Sequence, residues 1–120
     1  MRGHEALIAL RRRGLVPAMV FLHDEYPPDC RDWHERQESQ AHAVIHFEPT
    51  DKPSRADLRF VVGLTVLVSF HDTARMRATV LACEAAGAKR VVGTAIRHIR
   101  HDLYETLAAI DTSGDQSWRN

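Results

Sequence analysis

The stretch Leu64-Thr65-Val66-Leu67-Val68-Ser69-Phe70-His71-Asp72 decides the fold. Residues 64–70 form a nearly unbroken apolar run rich in valine, the mark of a strand covered on both faces, as in a parallel sheet. The run ends abruptly in His71-Asp72. Asp72 is placed to cap a helix over 73–86, in which Met76, Val80 and Cys83 repeat along one face and Gly87 provides the stop. Lys89 and Arg90 then lead into a strand over 91–96. A last helix over 98–110 carries the stripe Ile99, Leu103, Leu107 and Ile110.

Reading back toward the N-terminus, Gly63 closes a short helix through Leu58, Phe60, Val61 and Val62. Ser54 and Asp57 stand before it at capping-box spacing, with Asp in place of the usual Glu. A strand over 43–47 is closed by Glu48-Pro49. Residues 30–41 are polar apart from Trp33 and predict an exposed helix, with Tyr26-Pro27-Pro28-Asp29 as the rigid loop before it. A strand over 15–22 holds Pro17 near its start, where a missing donor matters least. It follows a helix over 4–13 with a basic last turn and Gly14 beyond. Four apolar strands alternating with helices predict an α/β fold, a small three-layer domain with a mostly parallel four-stranded sheet flanked by helices. The expected strand order is 2-1-3-4, by analogy with small doubly wound sheets. Residues 1–111 are read as one domain and 112–120 as a polar, disordered tail.

Composition narrows the function classes. The chain has 120 residues, 44% of them hydrophobic, which suits one globular domain. Lys+Arg and Asp+Glu both number 16, which excludes a chain-wide polycation for nucleic acid. No apolar run approaches the length of a membrane span. Glu5 interrupts the N-terminal apolar patch and the arginines follow it, the wrong order for a secretory signal, so a cytoplasmic location is expected. Cys30 and Cys83 are too few for a disulfide framework, and Cys83 reads as a small buried hydrophobe. No glycine-rich phosphate loop, nucleophile elbow or CxxC pair is present, so no cofactor is expected.

Three features bear on chemistry. His23-Asp24 and His71-Asp72 both fall at carboxyl ends of expected strands, the edge where open α/β sheets bind ligands. If those strands are neighbours, the set His23, Asp24, His71 and Asp72, with Glu25, suits a transition metal or acid/base work in a small metal-dependent hydrolase. Arg97, Arg100 and His101 mark an anion site at the start of the last helix. The run Arg11-Arg12-Arg13 is the other nucleic-acid candidate, although it suits a helix C-terminus equally well. Charge is also sorted along the chain: residues 23–57 hold nine acids against four bases, and residues 75–101 hold six bases against Glu84 alone.

That sorting, with no catalytic motif, makes a non-enzymatic protein-interaction module the leading expectation. It would be an inhibitor or regulator that binds another protein or a ribonucleoprotein, in the manner of a mobile-element-encoded inhibitor of host defence such as an anti-CRISPR. Asp24, Glu25, Trp33, Glu35 and Glu38 are its expected docking residues. Trp118 is a further aromatic in the tail. The helix over 73–86 reads as apolar nearly all round, which points to a homodimer.

Overall fold

The computed structural model describes residues 3–27, 30–48 and 58–113. In chain order these form helix α1 (Gly3–Arg12), strand β1 (Met19–His23), helix α2 (Cys30–Ser39) and strand β2 (His42–His46). After a 3-10 turn at Arg59–Val61 come strand β3 (Thr65–Ser69), helix α3 (Thr73–Ala86) and strand β4 (Arg90–Gly93). A second 3-10 turn at Ile96–His98 precedes helix α4 (Leu103–Ser113). The strands make one sheet in the order β2-β1-β3-β4, and every neighbouring pair is parallel. This is the expected α/β architecture and the expected order. The chain winds from β1 to the β2 edge, then returns to the other side of β1 for β3, so the winding reverses between β1 and β3.

Strand alternation sorts the core into two layers. Val20, Leu22, Ala43, Ile45, Val66 and Val68 face one way, against Leu10 of α1, Leu58, Val61 and the Met76–Val80–Cys83 stripe of α3. Met19, Phe21, Val44 and Leu67 face the other way, against Trp33 of α2 and Leu103 and Ile110 of α4. Both faces of the sheet are covered, which is why the valine-rich third strand carries no polar alternation. Asp72 caps α3, its Oδ1 accepting from the backbone N–H groups of Ala74 and Arg75 at 2.9 and 3.2 Å. Gly87 ends α3 at φ 102°, a left-handed conformation that glycine adopts without strain. Cys83 is buried, and burial pushes its thiol up to about 12, so it behaves as the expected small hydrophobe.

Several boundaries move for local reasons. β1 begins at Met19 rather than 15, because the Leu15 N–H closes α1 on the Leu10 carbonyl and Ala18 bonds to Ala41. β4 stops at Gly93, and the last helix starts at Leu103 rather than 98. Its cap is Asp102, whose Oδ1 accepts from Tyr104 and Glu105 N–H. The helix then runs on to Ser113, past the end expected at 110. α2 is docked rather than exposed: Trp33 is 2% and Gln37 0% exposed. Their side-chain N–H groups donate to the Arg100 and His101 carbonyls at 2.7 and 2.6 Å, tying α2 to the loop before α4. The Ser54–Asp57 capping box, Pro28-Asp29, Pro49 and residues 114–120 with Trp118 lie outside the described residues.

Candidate functional site

The reversal between β1 and β3 leaves a crevice at the carboxyl edge of the sheet, the place where open α/β sheets bind ligands. Asp24 follows β1 on the face covered by α3, and His71 follows β3 beside it. The Asp24 side chain is fully buried. Its Oδ1 accepts the His71 backbone N–H at 3.1 Å, and its Oδ2 lies 2.9 Å from His71 Nδ1. Arg75, one turn into α3, donates from Nη1 to the same Oδ2 at 3.2 Å and from Nη2 to the Glu48 carbonyl at 2.7 Å. Its guanidinium also sits 4.5 Å above the Phe70 ring. The His71 ring, by contrast, is 60% exposed.

Beside His71 opens a cleft of about 380 Å³. Glu25, Phe70, His71 and Met76 line one side, with Thr94, Arg97 and His98 on the segment after β4. With the Asp24 carboxylate as acceptor, His71 Nδ1 carries the proton and Nε2 holds its lone pair free. This is the arrangement in which a buried carboxylate fixes the tautomer and orientation of a catalytic imidazole.

Of the expected metal set, the structure unites only part. Asp24, Glu25 and His71 each offer a ligand atom within 4.8 Å of the others. His23 does not join them, because consecutive strand residues point to opposite faces and His23 lies on the α2 side. Asp72 is occupied as the α3 cap. Arg75 already neutralises the Asp24 oxygen that a cation would need, so the donor set suits an oriented imidazole better than a divalent ion.

The docking set is corrected in two places. Trp33 is packed edge-on to Phe21 in the core, and Asp24 is an internal ion-pair partner, so neither is available to a macromolecular partner. Glu35 is exposed and Glu38 and Glu25 are half-buried; Arg31 faces Glu35 at 3.9 Å along α2, which offsets part of the acidic surface. Among the anion set only Arg97 lines the cleft. Arg100 and His101 are exposed on the loop whose carbonyls bind α2, and the α4 amino end there is capped by Asp102. Arg11, Arg12 and Arg13 are exposed just before β1, at the opposite edge of the sheet from Arg97, so the two basic clusters do not form one surface. α3 is not apolar all round once folded. It turns Ala74, Arg77, Ala78, Leu81, Glu84 and Ala85 outward, and Leu81 is the one large apolar side chain among them. The apolar face that suggested a homodimer is therefore mostly alanine. Among the described residues no helix is long and apolar enough to cross a membrane.

The sequence reading missed a second cluster at the same edge. His23 and His46 are register partners at the ends of β1 and β2, and their ring centroids lie 4.8 Å apart. His34, on α2, has its centroid 5.7 Å from that of His23, and Tyr26 stacks on His46 at 4.5 Å. The available signal was two neighbouring strands each ending in histidine, hidden because β2 was expected to run to Phe47 rather than end at His46.

His23 is 0% exposed, and burial, with His46 and His34 beside it, holds its pKa down to about 4 against an ordinary 6.5. Between those values the unfolded chain binds a proton that the native state refuses, so stability rises with pH across the window. Acidifying from 6.5 toward 4 is expected to cost about 3 kcal/mol at this position, and burial lowers His34 and His42 in the same direction. Urea titrations across that range, in EDTA so that only protons titrate the rings, check this. His23→Phe, which keeps a ring stacked on Phe21, should flatten the profile, and an unchanged slope would refute the assignment.

Compared with known protein families, curated proteins and solved structures, the chain matches none.

Proposed function

We propose that this domain is a small enzyme that binds an anionic molecule in the carboxyl-edge cleft and uses His71, oriented by Asp24, as its general base. The single observation that carries this is the 2.9 Å contact from His71 Nδ1 to a fully buried carboxylate at the mouth of the cleft. A solvated surface histidine needs no buried carboxylate, whereas a base needs a fixed tautomer and an open Nε2. Arg97 and His98 on the facing wall favour a ligand carrying a carboxylate or phosphate. Ester hydrolysis fits these parts: His71 Nε2 takes a proton from water attacking the ester centre while Arg97 holds the anionic group, and as the bond to the alcohol oxygen breaks the protonated His71 returns that proton to the leaving oxygen.

The test is turnover of p-nitrophenyl phosphate and bis-p-nitrophenyl phosphate, with neutral p-nitrophenyl acetate as control. His71→Gln is expected to lower kcat/KM by about 10²- to 10⁴-fold. Arg97→Ala is expected to raise KM for the anionic esters while sparing the neutral one. Equal rates for the parent and His71→Gln would sink the reading.

A second reading keeps the protein-interaction module, docking on a basic partner as an inhibitor or regulator. Asp32 and Glu35, exposed on the outer face of α2, and the neighbouring Glu38 support it. Such association would weaken with salt and be lost in the Glu35→Lys/Glu38→Lys double variant.

A further inference from the structure

We infer that the ligand of the carboxyl-edge cleft is a small carboxylic ester with an uncharged acyl group at the His71 end and an anionic group at the other end of an apolar spacer. The inference rests on the general-base reading above and narrows its substrate class. Size sets the scale: at about 380 Å³ the cleft lies near the lower bound of small-molecule sites, about 300–1,000 Å³.

Charge divides the cleft. At the His71 end, Glu25 Oε1 lies 3.8 Å from His71 Nδ1, the Asp24 carboxylate is buried behind the ring at 2.9 Å, and Asp72 follows as the α3 cap. Arg75 pairs with Asp24 at 3.2 Å, one positive charge against three negative ones. That end is therefore net negative while His71 is in the neutral form that acts as a base. A phosphate as the reacting centre would bring its own negative charge against Glu25, and like charges so close repel. The reacting centre that fits there is an uncharged acyl carbon. Positive charge lies on the facing wall, on Arg97 with His98 beside it. The N–H fork of an arginine grips a remote carboxylate through two oxygens.

Apart from Thr73 and Thr94, the rest of the lining is carbon. Phe70 and Met76 reach the cleft from the core under α3, and Ala95 and Ile96 from the segment after β4. The Phe70 ring is held in place, with the Arg75 guanidinium 4.5 Å over it and Phe47 edge-on at 5.9 Å. A flat or aliphatic spacer gains by leaving water against such a wall. The step on this ligand balances without a further reactant. Water adds to the acyl carbon as His71 Nε2 takes its proton, and the bond from that carbon to the alcohol oxygen breaks. His71 then returns the proton to the alcohol oxygen. The products are a carboxylic acid and an alcohol that keeps the remote anion.

The test compares hydrolysis of p-acetoxybenzoate, whose ring separates an acetate ester from a carboxylate, with that of its neutral methyl ester. The charged substrate is expected to show a kcat/KM about 10- to 100-fold higher, the weight of one hydrogen bond to a charged group. In the Arg97→Ala/His98→Ala double variant, which changes two exposed side chains, that advantage should vanish. Binding is read separately by NMR titration with the unreactive p-carbamoylbenzoate. It should bind about 10-fold more tightly than benzamide, and about 10-fold more tightly than p-carboxyphenyl phosphate, which sets a phosphate against Glu25. Glu25→Gln should narrow the second gap. Equal rates on the two acetates overturn the inference, as does a carbamoylbenzoate that binds no better than benzamide or than the phosphate. His71→Gln separates this inference from the reading beneath it. If that variant loses acetate turnover and no charge preference exists, the general base stands and the ester class falls. If it turns over the acetates like the parent while the binding preferences hold, the general base falls and the assigned ligand class stands.

Discussion

Replacing Asp24 with alanine is expected to lower the free energy of unfolding by about 3–5 kcal/mol, the range seen when one partner of a buried ion pair is removed. The Asp24 side chain is wholly buried and the Arg75 side chain only 15% exposed. Arg75 keeps its bond to the Glu48 carbonyl and its place over Phe70, but its Nη1 loses the buried carboxylate it donates to. The His71 backbone N–H also loses its acceptor, so the join of β3 to α3 loosens at the same time. Urea denaturation read by circular dichroism measures the loss. Asp24→Asn is expected to fall between, since an amide oxygen can still accept the backbone N–H while the charge pairing is lost. A change below about 1 kcal/mol for Asp24→Ala would mean that the pair is solvated in solution, a regime in which salt bridges contribute little.

Trp33→Ala is expected to destabilise the domain by about 3–5 kcal/mol, the cost of truncating a large core aromatic. The indole lies between α2 and the sheet, edge-on to Phe21, and its Nε1–H is spent on the Arg100 carbonyl. Losing it removes the packing of α2 on Phe21 and the bond to the Arg100 carbonyl, while the Gln37 bond to the His101 carbonyl stays in place. Trp33→Phe refills most of the volume and should cost less, about 1–2 kcal/mol, including the carbonyl left without its donor. Thermal and urea melts of the two variants decide the matter. A docking residue on the surface would leave stability unchanged in both, and that outcome would put α2 back outside the core.

These two predictions also mark where the sequence stops being readable. The run around Val66, Leu67 and Val68 has no polar alternation, and only a strand covered on both faces tolerates that, so the parallel three-layer arrangement followed from composition and period. The same holds for the Asp72 cap and the Gly87 stop, whose chemistry acts within one turn of the chain. Trp33 and Gln37 were not legible, because a polar helix carrying one tryptophan reads alike whether the tryptophan faces water or a neighbour. What decides is the pair of backbone carbonyls at Arg100 and His101, more than sixty residues away. The start of the last helix shifted for a smaller reason. Asp102 competes for the cap, and Arg100 and His101 stay outside the helix, where their carbonyls accept from α2.

The sequence by itself determined the class of fold and put both His-Asp pairs at the ends of strands, since hydrophobic period and local capping are properties of neighbouring residues; the strand order was expected only by analogy, and the pairing of the strands in the fold supplies it. Only the tertiary structure decided which of those side chains meet. Adjacent residues on a strand leave by opposite faces, so His23 parts from Asp24 and joins His34 and His46. Asp24 turns instead to His71 and to Arg75, a residue that no spacing in the chain connects to it.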